Sequence, residues 1–217
     1  MLVVSELSDV DSATPTDTRH RIMKAALETV RNAGITGTSA RAIAATGGFN
    51  QALIFYHFGS VTNLLIEAAR MSSATRVEAY REVTEGVSSL TSLVDVAKRL
   101  HDEAEDDGSV AVLTQLMAGA ASDPHMGEAI LEGFEGWIEL VEDALRKALD
   151  GQSLAGVIPT REAAYSISAL FLGIELMARL NPDKSEAAAV FDSLHDLAGI
   201  IESIPAVATR LINPSKR

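Results

Sequence analysis

The chain has 217 residues, 47% of them hydrophobic, enough to bury a sizeable core in one large domain or two small ones. It contains no cysteine, which excludes disulfides, thiolate metal sites and a cysteine nucleophile, and suits a reducing cytoplasm. A net charge of -12 opposes phosphate binding by the chain as a whole and leaves that role only to a locally basic segment.

The opening stretch MLVVSELSDVDSATPTD carries acids where a secretory signal has basic residues and then an apolar run, so no targeting segment is expected. Residues 1–13 and the tail at 213–217 are expected to be mobile ends. From Thr14 onward apolar residues recur at three- and four-residue spacing with few β-branched runs, which predicts an all-α fold. The first helix starts near Thr14-Pro15, presents Ile22, Ala25, Ala26, Thr29 and Val30 on one face, and stops at Gly34. A second, short helix is capped by Thr38-Ser39 and runs through Ile43-Ala44-Ala45. Gly47-Gly48 break it, Asn50 caps about two turns from Gln51 to His57, and Ser60 caps a longer fourth helix. Further helices are predicted at 91–105, 109–121, 125–149, 161–180 and 186–203. They are separated by Asp106-Asp107-Gly108, Asp123-Pro124, the Gly151 to Pro159 loop and Asn181-Pro182.

Ala42 to Ile66 carries no charged residue, but Gly47, Gly48, Asn50, Gln51, His57, Gly59, Ser60 and Asn63 interrupt it, so it is not read as a membrane span. Charge is unevenly distributed. Between Thr14 and Asn63, Arg19, Arg21, Lys24, Arg31 and Arg41 face only Asp17 and Glu28, which suggests a basic binding module joined to an acidic body. Two short helices joined by a Gly-containing turn, the second rich in polar and aromatic groups, form a helix-turn-helix pattern. Ile43, Ala44, Phe49 and Ile54 fall where the two helices must pack. Gln51, Ala52, Tyr56 and His57 point away from that core.

These residues resemble the TetR family of transcriptional regulators. The resemblance runs from Thr18-Arg19 through Ile22, Ala25-Ala26 and Gly34 to Thr38-Ser39, Arg41, Ile43-Ala44, Gly48, Tyr56-His57-Phe58, Ser60 and Leu64-Leu65. It implies an N-terminal three-helix DNA-binding domain, here residues 14–60, and a helical body at 61–212 that binds a small effector and forms a homodimer. By the same resemblance Arg41 contacts base or phosphate, and Gln51 and Ala52 read base edges of a double-stranded operator. A Gln pairs bidentately with adenine and an Ala touches a thymine methyl. Tyr56 and His57 are phosphate contacts, supplemented by Thr38 and Ser39. Phe55 and Phe58 are read as core. Where the family usually has Lys after Ser60 this chain has Val61, so that phosphate must be met by backbone amides near Val61 and Thr62 at the helix start. With no Lys or Arg in the recognition helix, affinity is expected to rest on Arg41 and on Arg19, Arg21 and Lys24.

In the body, the segment from Ala163 to Ile174 is apolar almost all round, and Val190, Phe191, Leu194, Leu197, Ala198 and Ile201 cover a broad arc of the last helix. Two such helices paired with their symmetry mates would form a four-helix dimer interface, with an intramolecular core as the alternative. Glu175 and Arg179 read as an i,i+4 surface pair. Phe134 and Trp137 on the 125–149 helix, facing Leu113, Met117 and Phe171, are the candidate lining of an effector pocket. Gly127, Gly133 and Gly136 and the run Ala118-Gly119-Ala120-Ala121 are expected to leave room for it. The five His lie in separate segments, and the nucleotide-binding and hydrolase motifs are absent, so neither enzymatic activity nor a metal or cofactor is expected. The sequence reads as a cytoplasmic, effector-released repressor. Its rival is a helical small-molecule carrier whose DNA-binding module has lost its function.

Overall fold

The computed structural model describes residues 15–152, 155–181, 183 and 185–204. The two predicted tails, Thr14, part of the Gly151 to Pro159 loop and Pro182 therefore lie outside the described residues. The described residues form nine helices and no strand: α1 (Pro15–Gly37), α2 (Ala40–Gly47), α3 (Ala52–Phe58), α4 (Val61–Glu85), α5 (Leu90–Asp107), α6 (Ser109–Ala120), α7 (Pro124–Leu149), α8 (Thr160–Leu180) and α9 (Ser185–Glu202). The predicted all-α fold and the helix limits agree with this to within one or two residues wherever both ends were predicted, except in α1. There Gly34 adopts φ 69°, ψ 173° and breaks the helical path at the expected place, but a further turn carries the element on to Gly37.

Two compact units emerge. The first takes the chain through Met71 together with Ala111–Ile130. Its core joins Ile22, Ala26 and Val30 of α1 to Ile43 of α2, Ile54 and Phe58 of α3, Leu64 and Ala68 of α4, Leu116 of α6, and Met126 and Ala129 of α7. Gln115 accepts a hydrogen bond from the Ile35 amide at 3.1 Å, tying α6 to the end of α1.

The second unit comprises Ser72–Val110 and the chain from Leu131 onward. Here α5 and α9 pack together. The Ser89 hydroxyl accepts from the Ser92 amide, and Ser92 returns the favour to the Ser89 amide, a reciprocal cap at the start of α5. The Glu202 carboxylate at the end of α9 accepts from the Leu90 and Thr91 amides in that same first turn, where the helix dipole favours an anion. Lys98 donates to Asp192 at 2.7 Å across the pair, and this bond raises the Lys98 pKa. On α7, Gly133 does not open space. A Cβ there would lie 2.5 Å from Ser73 Oγ and 2.8 Å from Ser73 Cβ, so the missing side chain lets α4 approach closely, contrary to the expectation that this glycine leaves room for a cavity.

One described helix, α8, is long and apolar enough to cross a membrane by length and composition, with a mean hydropathy of 1.4. Its inner side, however, carries the buried Ala164, Ser168 and Glu175, so one side of the helix is covered by the fold.

Candidate nucleic-acid interface and effector cavity

The geometry of α2 and α3 is set locally by caps. Ser39 Oγ accepts from the Ala42 amide at 3.2 Å, and Gly48, in the left-handed region at φ 64°, ends α2 by donating its amide to Ala44 O. Asn50 Oδ1 accepts from the Ala52 amide at 2.9 Å and Ser60 Oγ from the Asn63 amide at 3.0 Å, so both predicted caps form. Gly47 sits under the turn, where a Cβ would fall 2.2 Å from the Phe49 ring and 2.9 Å from Ala25 Cβ. Gly47→Ala is therefore expected to destabilise the first unit by about 1–3 kcal/mol, the usual cost of overpacking, seen as a lower melting temperature.

With Ile54 and Phe58 buried, α3 turns Gln51, Ala52, Phe55 and Tyr56 to its exposed side, and Tyr56 is 82% accessible. Phe55 corrects the sequence reading. It is 52% exposed rather than core, because Ile54 and Phe58, four apart, are the buried positions of so short a helix, with Leu53 packed beside them. It therefore joins the outward face between Ala52 and Tyr56, a position that the sequence reading missed. An apolar ring there can meet a thymine methyl in a major groove. His57 is half-buried, its ring edge-on to Tyr56 at 4.9 Å between centroids. Arg41 and Thr62 are exposed. Thr38 donates its hydroxyl to Gly34 O at 2.8 Å, while the Ser39 hydroxyl accepts from its own helix and keeps its proton for an outside acceptor.

Arg19 departs from its expected part as a free cation. Its guanidinium donates to His57 O at 2.6 Å, pairs with Glu67 and lies 4.4 Å from the centre of the Phe58 ring. It thus secures the C-terminal end of α3 to α1 and α4 rather than presenting charge outward. Arg21 lies 5.8 Å from the Phe49 ring centre. Lys24 is exposed.

In the second unit a cavity of about 40 Å³ lies between α4, α5, α7 and α8. Trp137 and Phe171 line it, with centroids 6.0 Å apart, as do Leu100, Val141, Ile167 and Ser168. The other predicted pocket residues are elsewhere: Phe134 packs edge-on against Tyr165 at 6.4 Å, and Leu113 and Met117 belong to the first unit. The aromatic series continues from Phe171 to Phe191 and from Phe191 to His101. His101 Nδ1 is 2.6 Å from Glu175 Oε1, with both side chains buried. Glu175 is therefore not half of a surface pair with Arg179, which stays exposed. Among the described residues no three His, Asp or Glu side chains converge as metal ligands.

Residues 22–68 match bacterial regulatory proteins of the tetR family, and residues 90–198 match the C-terminal domain of BetI-type transcriptional repressors. The chain belongs to the TetR family. It is a TetR-family transcriptional regulator with a helix-turn-helix DNA-binding domain and a C-terminal ligand-binding domain. A TetR-family regulator from Mesorhizobium loti shares the fold at TM-score 0.70 and 22% identity, with 85% of this chain and 96% of that one covered. The transcriptional regulator FadR from Bacillus subtilis, solved in complex with stearoyl-CoA, gives 0.69 and 18%, covering 86% and 99%. Reduced NemR from E. coli gives 0.69 and 18%, covering 87% and 100%. No curated protein sequence matches.

Proposed function

We propose that this TetR-family protein is a cytoplasmic repressor that binds a pseudo-palindromic operator as a homodimer and is released by a small, mainly apolar or amphipathic effector. The observation that carries the DNA-binding half is the outward face of α3, where Gln51, Ala52, Phe55 and Tyr56 stand together clear of the core. In this reading Gln51, Ala52 and Phe55 meet base edges, while Ser39, Arg41, Tyr56, His57 and the start of α4 at Thr62 meet phosphates. Thr38 shapes the start of α2. The effector half rests on the apolar cavity beside Trp137 and Phe171. Stearoyl-CoA in the Bacillus subtilis relative is an amphipathic ligand, but a 40 Å³ cavity calls for a much smaller molecule here.

The dimer is supported by α8 and α9. Tyr165, Leu170, Met177 and Leu180 on one side of α8, with Leu197, Ile200 and Ile201 on α9, are large, apolar and exposed. Such a patch on a folded chain marks an interaction surface. A specific observation also favours the second reading, a small-molecule carrier without DNA-binding function: α3 has no Lys or Arg, and Arg19 is engaged internally.

Fluorescence anisotropy with the DNA flanking the protein's own gene separates the two. We expect saturable, salt-sensitive binding. Arg41→Ala and Tyr56→Phe should weaken it with helical content unchanged, and Gln51→Ala should relax base preference at one position per half-site by about 1–3 kcal/mol. Identical titrations for all three variants would leave the carrier reading standing.

A further inference from the structure

The cavity beside Trp137 carries one polar feature that the packing does not explain. Ser168 lines it, is 1% exposed, and its hydroxyl has no hydrogen-bonding partner among the described residues. Helical Ser and Thr side chains commonly settle on the carbonyl four residues back. Elsewhere in this chain they do so: Thr29 bonds Ala25 O, Thr46 bonds Ala42 O, Ser166 bonds Glu162 O and Ser193 bonds Ala189 O. Ser168, two residues from Ser166 on the same helix, does not. The other hydroxyl on the cavity wall, Thr84, donates to Arg81 O at 2.9 Å. A buried hydroxyl left unpaired is costly, and a ligand oxygen in the cavity removes that cost.

We propose that Ser168 is the polar anchor of the effector site, and that the effector is a compact, uncharged, largely apolar molecule carrying one hydrogen-bonding oxygen. This rests on the cavity of the C-terminal domain being the effector site. The class follows from the walls. Leu100, Val141, Ile167 and Phe171 supply apolar contact, and among the described residues no charged side chain lines the cavity, so a carboxylate or phosphate seated there would be buried without a counter-charge. Size adds a second constraint. A cavity of roughly 150 Å³ accommodates benzene. At about 40 Å³ this one admits a ring only if Trp137 and Phe171 move.

The test uses the full chain and three probes: 1-phenylethanol, its hydrocarbon counterpart ethylbenzene, and benzoate. Binding is read by Trp137 emission, the only tryptophan in the chain, and by melting temperature. We expect the alcohol to bind about five- to tenfold more tightly than the hydrocarbon, the worth of one neutral hydrogen bond. Benzoate should not compete. Ser168→Ala should lose the preference for the alcohol, keep its affinity for ethylbenzene, and melt at or above the temperature of the parent protein because an unpartnered hydroxyl is gone. Equal binding of alcohol and hydrocarbon by the parent protein overturns the proposal, as does a preference that survives Ser168→Ala, binding of benzoate at the same site, or no binding of the alcohol. Operator titrations with the same samples keep the two readings apart. Intact DNA binding with any of those results removes the Ser168 anchor alone, whereas absent DNA binding removes the regulator reading and leaves the alcohol preference to be judged by itself.

Discussion

Replacing His101 with alanine is expected to destabilise the second unit by about 3–5 kcal/mol, the combined cost of leaving a buried hydrogen-bonding group unpaired and opening a cavity in the core. For a chain of this length that lowers the melting temperature by roughly 6–20 °C. Two effects act together. The substitution takes a hydrogen-bonding partner at 2.6 Å from the buried carboxylate of Glu175, and it removes a ring that packs 5.2 Å from Phe191, leaving a void beside one of the largest fully buried side chains. Glu175→Gln is the informative companion. It keeps a hydrogen-bonding group of the same shape opposite His101 and leaves the His101–Phe191 packing in place, so it should cost clearly less than His101→Ala. Replacing both, as His101→Phe with Glu175→Leu, should recover most of the loss, because an apolar pair of similar volume has nothing to desolvate. Urea titrations of the four proteins check this. A loss in the double variant as large as that of His101→Ala would show that an apolar pair does not replace this one.

That pair also shows where sequence reading stops. Caps are local chemistry, so Ser39, Asn50 and Ser60 could be placed from neighbouring residues alone, and each makes the expected bond. The breaks at Gly34 and Gly48 were legible for the same reason, since a left-handed φ favours a residue without a side chain. Glu175 was not legible. Its i,i+4 neighbour Arg179 offered a plausible surface partner, whereas the residue it meets, His101, is 74 positions away on another helix. Phe55 failed differently: in a seven-residue helix two inward positions fix the phase, and the cluster of Phe, Tyr, His and Phe gives composition without phase. Trp137 and Phe171 do share a cavity, but the room expected from Gly133 is taken up by Ser73 of α4, a contact that no local pattern announces. Arg19 is the same kind of case, a cation whose role is decided by Glu67, His57 O and Phe58 once three helices have met.

The double substitution Leu170→Glu with Leu197→Glu is expected to lower operator affinity by about two to four orders of magnitude without touching α1, α2 or α3, because two linked half-site contacts become separate ones. Both side chains are exposed in the single chain, at 49% and 54%, so the glutamates are tolerated by the fold itself and the melting temperature of the monomer should change little. In a dimer closed by α8 and α9 the same carboxylates are buried against an apolar mate, which is prohibitive without a counter-charge. Sedimentation should therefore show a dimer for the parent protein and a monomer for the variant. Leu131→Glu is the control, since Leu131 is equally apolar and 69% exposed but lies on α7 rather than on α8 or α9, and it should leave both mass and affinity unaltered. If the parent protein sediments as a monomer at micromolar concentration, α8 and α9 do not form the interface. The substitution also bears on release. Helix α8 carries Ser168 and Phe171 on the cavity side and Leu170 and Met177 on the exposed side, so in the proposed dimer a ligand that displaces Phe171 acts on the helix that bears the interface. An effector binding one dimer geometry better than the other shifts their populations by that difference in affinity. The Leu170→Glu, Leu197→Glu monomer should accordingly bind 1-phenylethanol with an affinity different from that of the dimer, and identical affinities would mean that cavity and interface are not coupled through α8.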